Sequence, residues 1–261
     1  MKNVKCIEEG NEMLLNKNLL KFPKKTLEKQ EFISIKDIQE QTETKSVSFA
    51  AGLNFYKLFW IFFIGGFLGV VIESIWCLIT KFHFESRSGL IYGPFNPVYG
   101  FGALIVALGL NWLSKKRDLW IFIGGAILGS IFEYLCSWIQ ETIFSTVSWN
   151  YGNMPFNFHG RISLLYSLFW GILALIWVKD CYPWLSSFIE KIPNKTGVYL
   201  TWVLVIFMLF NIFISAFAVE RMSQRHVGIP ANSSFEQFLD KHYSDKLLKK
   251  VYPNMIYVDK N

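Results

Sequence analysis

Five stretches of this chain, at about 58–80, 97–113, 119–141, 161–178 and 197–219, are nearly free of charge. A run of ~20 apolar residues is what an α-helix needs to cross a hydrocarbon core, and a chain with several such runs has little choice of fold. The second and fourth stretches are short and interrupted by glycine or serine. The rest of the sequence contrasts with them, because residues 1–49 and 220–261 are polar and lysine-rich. Only 18% of the residues are charged and 52% are hydrophobic, against roughly 25% charged in soluble domains. The expected fold is therefore all-α, a polytopic membrane bundle of about five transmembrane helices. A polar N-terminal segment (1–49) precedes the transmembrane domain (50–219), and a polar tail (220–261) with an amphipathic helix follows it.

The charge pattern orients this bundle. The net charge of +6 reads as cytoplasmic flanking charge rather than as a nucleic-acid surface, since basic residues concentrate on the inner side of membrane proteins. Lys57, Lys115, Lys116, Arg117, Lys179, Lys191 and Lys195 mark one side, and the N-terminus belongs with them. The basic tail conflicts with a five-span count, so its side stays open; a missed segment around 184–192 would bring it inside. The N-terminus lacks the apolar core of a signal peptide. Cys6, Cys77, Cys136 and Cys181 show no framework spacing, so neither a disulfide nor a zinc site is expected.

A repeat organises the core. At an offset of sixty, Gly65, Gly69 and Glu73 fall on Gly125, Gly129 and Glu133. Each helix leads into a polar loop containing PFN, at 94–96 and 155–157, and then into a second helix. The first unit runs over about 58–113 and the second over about 119–178, with 197–219 as an additional helix. Within the units Tyr99 aligns with His159, and Ala103 and Ala107 with Ser163 and Ser167. Residues four apart share a helix face, so the glycines and the glutamate form one stripe in each unit. Small residues at that spacing let helix backbones approach, which turns both carboxylates toward protein rather than lipid.

A lipid-facing charge at the bilayer centre costs ~2.5–3.5 kcal/mol on insertion scales, so both glutamates call for polar surroundings. The expected cluster comprises Glu73, Glu133, Asn96, Tyr99, Asn157, His159 and Arg161. Two roles stay open for the glutamates: pinning the PFN turns or pairing with Arg87 or Arg161, and binding a cation, proton or cationic solute. Asn96 and Asn157 are equally suited to capping the helices that follow. Trp149, Tyr151, Tyr92, Trp112 and Trp120 read as interfacial anchors. Nothing in the spacing demands a metal at His159, and no cofactor is implied. There is no phosphate-binding loop of the G-x-x-x-x-G-K type, no H-E-x-x-H and no G-x-S-x-G, so the chain is expected to be neither an ATPase nor an enzyme.

The strings GFLGVVIESIWC, SGLIYGPFNPVYGFGAL, LGSIFEYLCSWI and WNYGNMPFNFHGRISLLYSLFWG, in this order, resemble the bacterial family called putative ABC-transporter type IV, or putative ABC transporter permease. The resemblance covers roughly 58–192. It implies an integral protein of the bacterial plasma membrane with a permease role, working with a separate ATPase subunit; residues 179–196 are the core segment available to couple to one. Self-association is compatible with it. The bilayer itself is the one partner the composition requires. The alternative is a scaffold or regulator in which the same cluster only holds helices together. An intramembrane enzyme using His159 is the third reading.

Overall fold

The computed structural model describes residues 47–258; the N-terminal polar segment, apart from residues 47–49, falls outside them. Four helices among the described residues are long and apolar enough to cross a membrane. Helix α1, Phe55–Lys81, starts at the Asn54 cap, whose side chain accepts from the Lys57 amide, and stops at Phe82 in the left-handed region. Helix α3, Asp118–Phe144, has the same length and stops at Ser145 in the same way.

Between them lies α2, Pro97–Gly109, followed by a short 3₁₀ turn at Asn111–Leu113. The sequence led us to expect a full span at 97–113. Its 13 residues reach only ~20 Å at 1.5 Å per residue, so α2 is too short for one. The physical reason is that the chain folds back into the bundle before α2 begins. The Asn96 amide donates to the Gly66 carbonyl, at 3.1 Å, and Gly66 lies near the middle of α1. Pro97 fits the first turn because its missing N–H would have no partner there, and Asn96 caps the helix by accepting from Val98.

The second loop takes another course. Strand β1 (Thr146–Val147) follows α3, and β2 (Asn157–Phe158) pairs antiparallel with β3 (Ile162–Ser163). His159 and Gly160, both with positive φ, turn the chain between them. Asn157 therefore caps no helix, and the next one begins only at Leu164. From there α4 (Leu164–Ile176), a π-helical turn (Trp177–Cys181) and α5 (Tyr182–Glu190) form one rod. Pro183 cannot donate to the carbonyl four residues back, and the turn before it widens; Tyr182 N–H bonds to Trp177 O, an i→i−5 link. The rod overruns the expected end at 178. It absorbs most of the polar stretch 179–196, leaving 191–193 as the connection to α6, Asn194–His226.

Glycines set the helix contacts. A Cβ on Gly65 would meet Ala103 at 2.7 Å and lie 3.8 Å from the Gly100 Cα. On Gly125 it would overlap the Ala174 Cβ and lie 3.5 Å from the Gly171 Cα. Gly69 is covered by the Tyr99 ring and Gly129 by the Trp170 indole. In return Gly100 is pressed against Phe62, and Gly171 against Phe122. Phe62, Gly65 and Gly69 thus make contacts like those of Phe122, Gly125 and Gly129, sixty positions on. Their partners correspond at seventy-one: Tyr99, Gly100 and Ala103 occupy the places of Trp170, Gly171 and Ala174, not of His159, Gly160 and Ser163. The longer second loop accounts for the difference.

One end of the bundle gathers the start of α1, the end of α5 and the start of α6. Lys57, fully buried, donates to Ser186 and Glu190, and Lys179 pairs with Asp118. The opposite end holds both loops and the C-terminal segment. Helix α7 (Ser234–His242) starts with a capping box of Ser233 and Glu236, and α8 (Asp245–Val251) follows. Leu239, Tyr243 and Leu248 pack on Ile214, Ala218 and Met222 of α6, and strand β4 (Ile256–Tyr257) pairs with β1.

Arg221 donates to Asp240 through Nε at 2.9 Å and Nη2 at 3.0 Å, and Arg225 bonds Asp240 and Asp245. The Arg221 hydrogen bond, and after it that of Arg225, holds the Asp240 carboxyl below the usual carboxylate range. A depressed folded value means the stabilisation is fully present above the unfolded value of ~3.9 and is lost as pH falls through the folded one. The C-terminal helices are expected to open to protease below about pH 4, and Asp240→Asn to show the same opening at neutral pH. Equal cleavage at pH 3 and pH 7 would contradict this.

A candidate polar site on the second helix pair

Glu133 lies two turns beyond Gly125 on the α3 stripe that faces α4. Because Gly125 and Gly129 let α4 approach so closely, the Trp170 indole covers the helix just below the carboxylate. Trp170 Nε1 donates to Glu133 Oε2 at 3.1 Å, and the Tyr151 hydroxyl donates to Oε1 at 2.7 Å. Tyr151 comes from the second loop, which returns toward the bundle; its amide donates to Gly160 O at 2.7 Å and its ring stacks on Tyr166 at 4.5 Å. Burial first, and then the Glu133 charge, push the Tyr151 phenol up. It therefore stays protonated at working pH and acts as a donor. Glu133 is 9% exposed, and no cationic side chain among the described residues pairs with it. A groove of about 420 Å³ runs from it along α4, lined by Tyr166, Phe169, Trp170, Ile172, Leu173 and Ile176.

Glu73 has different company. Arg87 Nη1 lies 3.5 Å from its Oε1, while Nη2 bonds Glu85 at 2.8 Å and Cys77 Sγ at 3.3 Å. Lys81, then Cys77 and Arg87, hold the Glu85 carboxyl below its ordinary range against a smaller cost of burial. Arg161 plays a similar part in the second unit: its Nη1 bonds Ser137 at 3.2 Å, at the position corresponding to Cys77, and pairs with Glu141 at 2.7 Å.

Of the expected cluster, Tyr99 and Asn96 share the α1–α2 contact, while Glu73 meets Arg87 of the first loop. Tyr99 packs on Gly69, and Asn96 bonds the Arg87 carbonyl at 3.3 Å. In the second unit Asn157 turns to its own loop, bonding Gly152 O, Met154 O and Gly160 N. His159 stacks on Phe158 and bonds the Tyr134 hydroxyl at 3.0 Å, so it sits with Tyr134 rather than with the glutamates. Arg161 meets Glu141, not Glu133.

Three contributors were missed. Tyr151 reads in the sequence as an interfacial anchor. Trp170 was legible only by matching WG at 170–171 with YG at 99–100. Asn211, inside the most apolar span, pairs with both backbone groups of Tyr92: the Tyr92 amide donates to its Oδ1 at 3.1 Å and its Nδ2 donates to Tyr92 O at 2.6 Å. Ser215, one turn on, accepts from the Ile91 amide at 3.0 Å. Irregular backbone at membrane depth survives only where protein satisfies it, and α6 does this for the first loop.

A family model described as putative ABC-transporter type IV matches residues 60–216. The chain belongs to this family. The matched region starts early in α1 and ends late in α6, so it contains Glu73, Glu133, Arg87, Tyr151, Trp170 and Asn211 and leaves out the C-terminal helices. No curated protein matches the chain, and no solved structure does. Family membership together with four membrane-capable helices makes this a multi-pass membrane protein of a transport-related family.

Proposed function

We propose that the chain is a permease-like membrane component that binds a small solute at a polar centre built on Glu133 and Glu73. The observation carrying this is Glu133: a carboxylate at membrane depth, fixed by two neutral donors, without a counter-charge among the described residues, and opening onto a groove. A purely structural glutamate would be expected to have its charge compensated, as Glu73 does by Arg87. In this reading the two helix pairs are a parallel duplication with its pseudo-axis along the membrane normal, and α2 is the shortened fifth apolar helix. The end carrying Lys115, Lys116, Arg117, Lys191 and Lys195 is cytoplasmic by the positive-inside rule. The basic tail then lies outside, as long polar segments can be translocated largely regardless of their charge; its Arg221 and Arg225 pair with Asp240 and Asp245. An ATPase partner would meet the cytoplasmic end, where the α5 terminus is held to α1 by Lys57.

The scaffold reading rests on the Glu73–Arg87–Glu85 network, which is satisfied internally and would brace the first loop whether or not anything is carried. Thermal stability of the full chain in lipid nanodiscs across a panel of small solutes separates the two. A permease component should be stabilised by at least one solute, and Glu133→Gln should lose that response while keeping its elution profile. A scaffold would respond to none.

A further inference from the structure

We infer that the Glu133 groove is a site for a lipophilic organic cation: one positive centre carried on an apolar body. This rests on the permease-like reading above and names its substrate class. Both Glu133 oxygens already accept from neutral donors, so what the site lacks is positive charge, not further hydrogen bonds. A quaternary or phosphonium centre fits that need, because it brings charge without requiring new acceptors. The walls next to the carboxylate are aromatic. Trp170 lies under it, and Tyr166, stacked on Tyr151 at 4.5 Å, and Phe169 line the groove. Aromatic rings near a carboxylate can add a cation–π attraction to the charge term. Farther along, the half-exposed side chains of Leu173 and Ile176 continue the site as an open apolar groove. Its volume of about 420 Å³ falls within the ~300–1,000 Å³ typical of small-molecule sites. An anion of the same shape would meet the Glu133 charge and be rejected.

The probe pair that isolates charge is tetraphenylphosphonium and tetraphenylborate, nearly identical in shape and opposite in sign. Equilibrium binding to the full chain in nanodiscs, corrected for empty nanodiscs, should be saturable for the phosphonium and absent for the borate. Glu133→Gln should weaken phosphonium binding about tenfold or more. Leu173→Trp, which fills the groove without touching the carboxylate, should do the same and keeps the test decisive if the Gln variant assembles poorly. Ile131→Trp, a matched change on the exposed face of α3, should leave binding unaltered. Equal uptake of both ions, or phosphonium binding insensitive to both groove variants, would overturn the inference. A neutral or anionic solute that stabilises the protein through Glu133 while the phosphonium fails to bind would remove the cation assignment and leave the permease reading standing. Groove-dependent phosphonium binding in a protein that no panel solute stabilises would uphold the site and count against transport.

Discussion

Gly125→Leu is expected to prevent α3 and α4 from closing and to abolish the monodisperse protein in mild detergent. The atoms a side chain would meet are not ones that can move away. The Ala174 Cβ occupies the space already, and the Trp170 carbonyl and Gly171 Cα stand 3.2 and 3.5 Å from the added carbon. Overpacking of a close contact costs ~1–3 kcal/mol and sometimes more; with backbone as the obstacle, the upper end or beyond is expected. Separating the pair also carries Trp170 away from Glu133, so the variant should lose any solute response. Gly102→Ala is the control. Its Cβ would stand 3.4 Å from Phe132 and 3.5 Å from Trp170, ordinary contact, and alanine gains ~1 kcal/mol of helix propensity over glycine. A Gly125→Leu protein as stable as Gly102→Ala would show that the helices do not meet as described.

Asn211→Leu should produce the second large effect. The substitution adds apolar surface to an apolar span, so hydropathy alone would call it harmless. It strips both partners from Tyr92, leaving a part-buried amide and carbonyl unmatched at up to ~1–3 kcal/mol each. The loop ahead of α2 should then detach from α6. Hydrogen exchange at Ile91 and Tyr92 should rise by orders of magnitude, and the unfolding midpoint should fall. Asn211→Asp keeps the acceptor for the Tyr92 amide and loses the donor to its carbonyl, so an intermediate effect is expected. Unchanged exchange in Asn211→Leu would mean that the loop is held by something else.

The contrast between these residues shows what the sequence could reveal. Gly65, Gly69, Gly125 and Gly129 were legible because a close helix contact requires small residues at a fixed spacing, and that requirement is local. Glu73 and Glu133 stood out because a charge in an apolar run is costly wherever it points. Asn211 and Tyr151 were hidden: their roles depend on where a distant segment returns, and spacing within one helix carries no such information. His159 shows the converse error. Its alignment with Tyr99 followed from a matching PFN, but the two tripeptides lead into different backbone, a proline-started helix in one loop and a positive-φ hairpin in the other. The rod from Leu164 to Glu190 runs past the expected end at 178 because the apolar run stops there, whereas a widened turn ahead of Pro183 lets the helix continue through polar residues.

The strand pairing of Ile256–Tyr257 with Thr146–Val147 carries a consequence for assembly order. These residues are about 110 positions apart in the chain, so the stitch cannot form until α6 and both short helices after it have been synthesised and folded back. Contacts that close long loops bring their stabilisation late. Until then the hydroxyl of Tyr92 waits for that of Tyr243, its partner at 2.9 Å, and the rims of both loops stand uncovered. This late-made segment is thus a clasp, and an arrested chain ending at α6 would keep its helix contacts and lose its fastening.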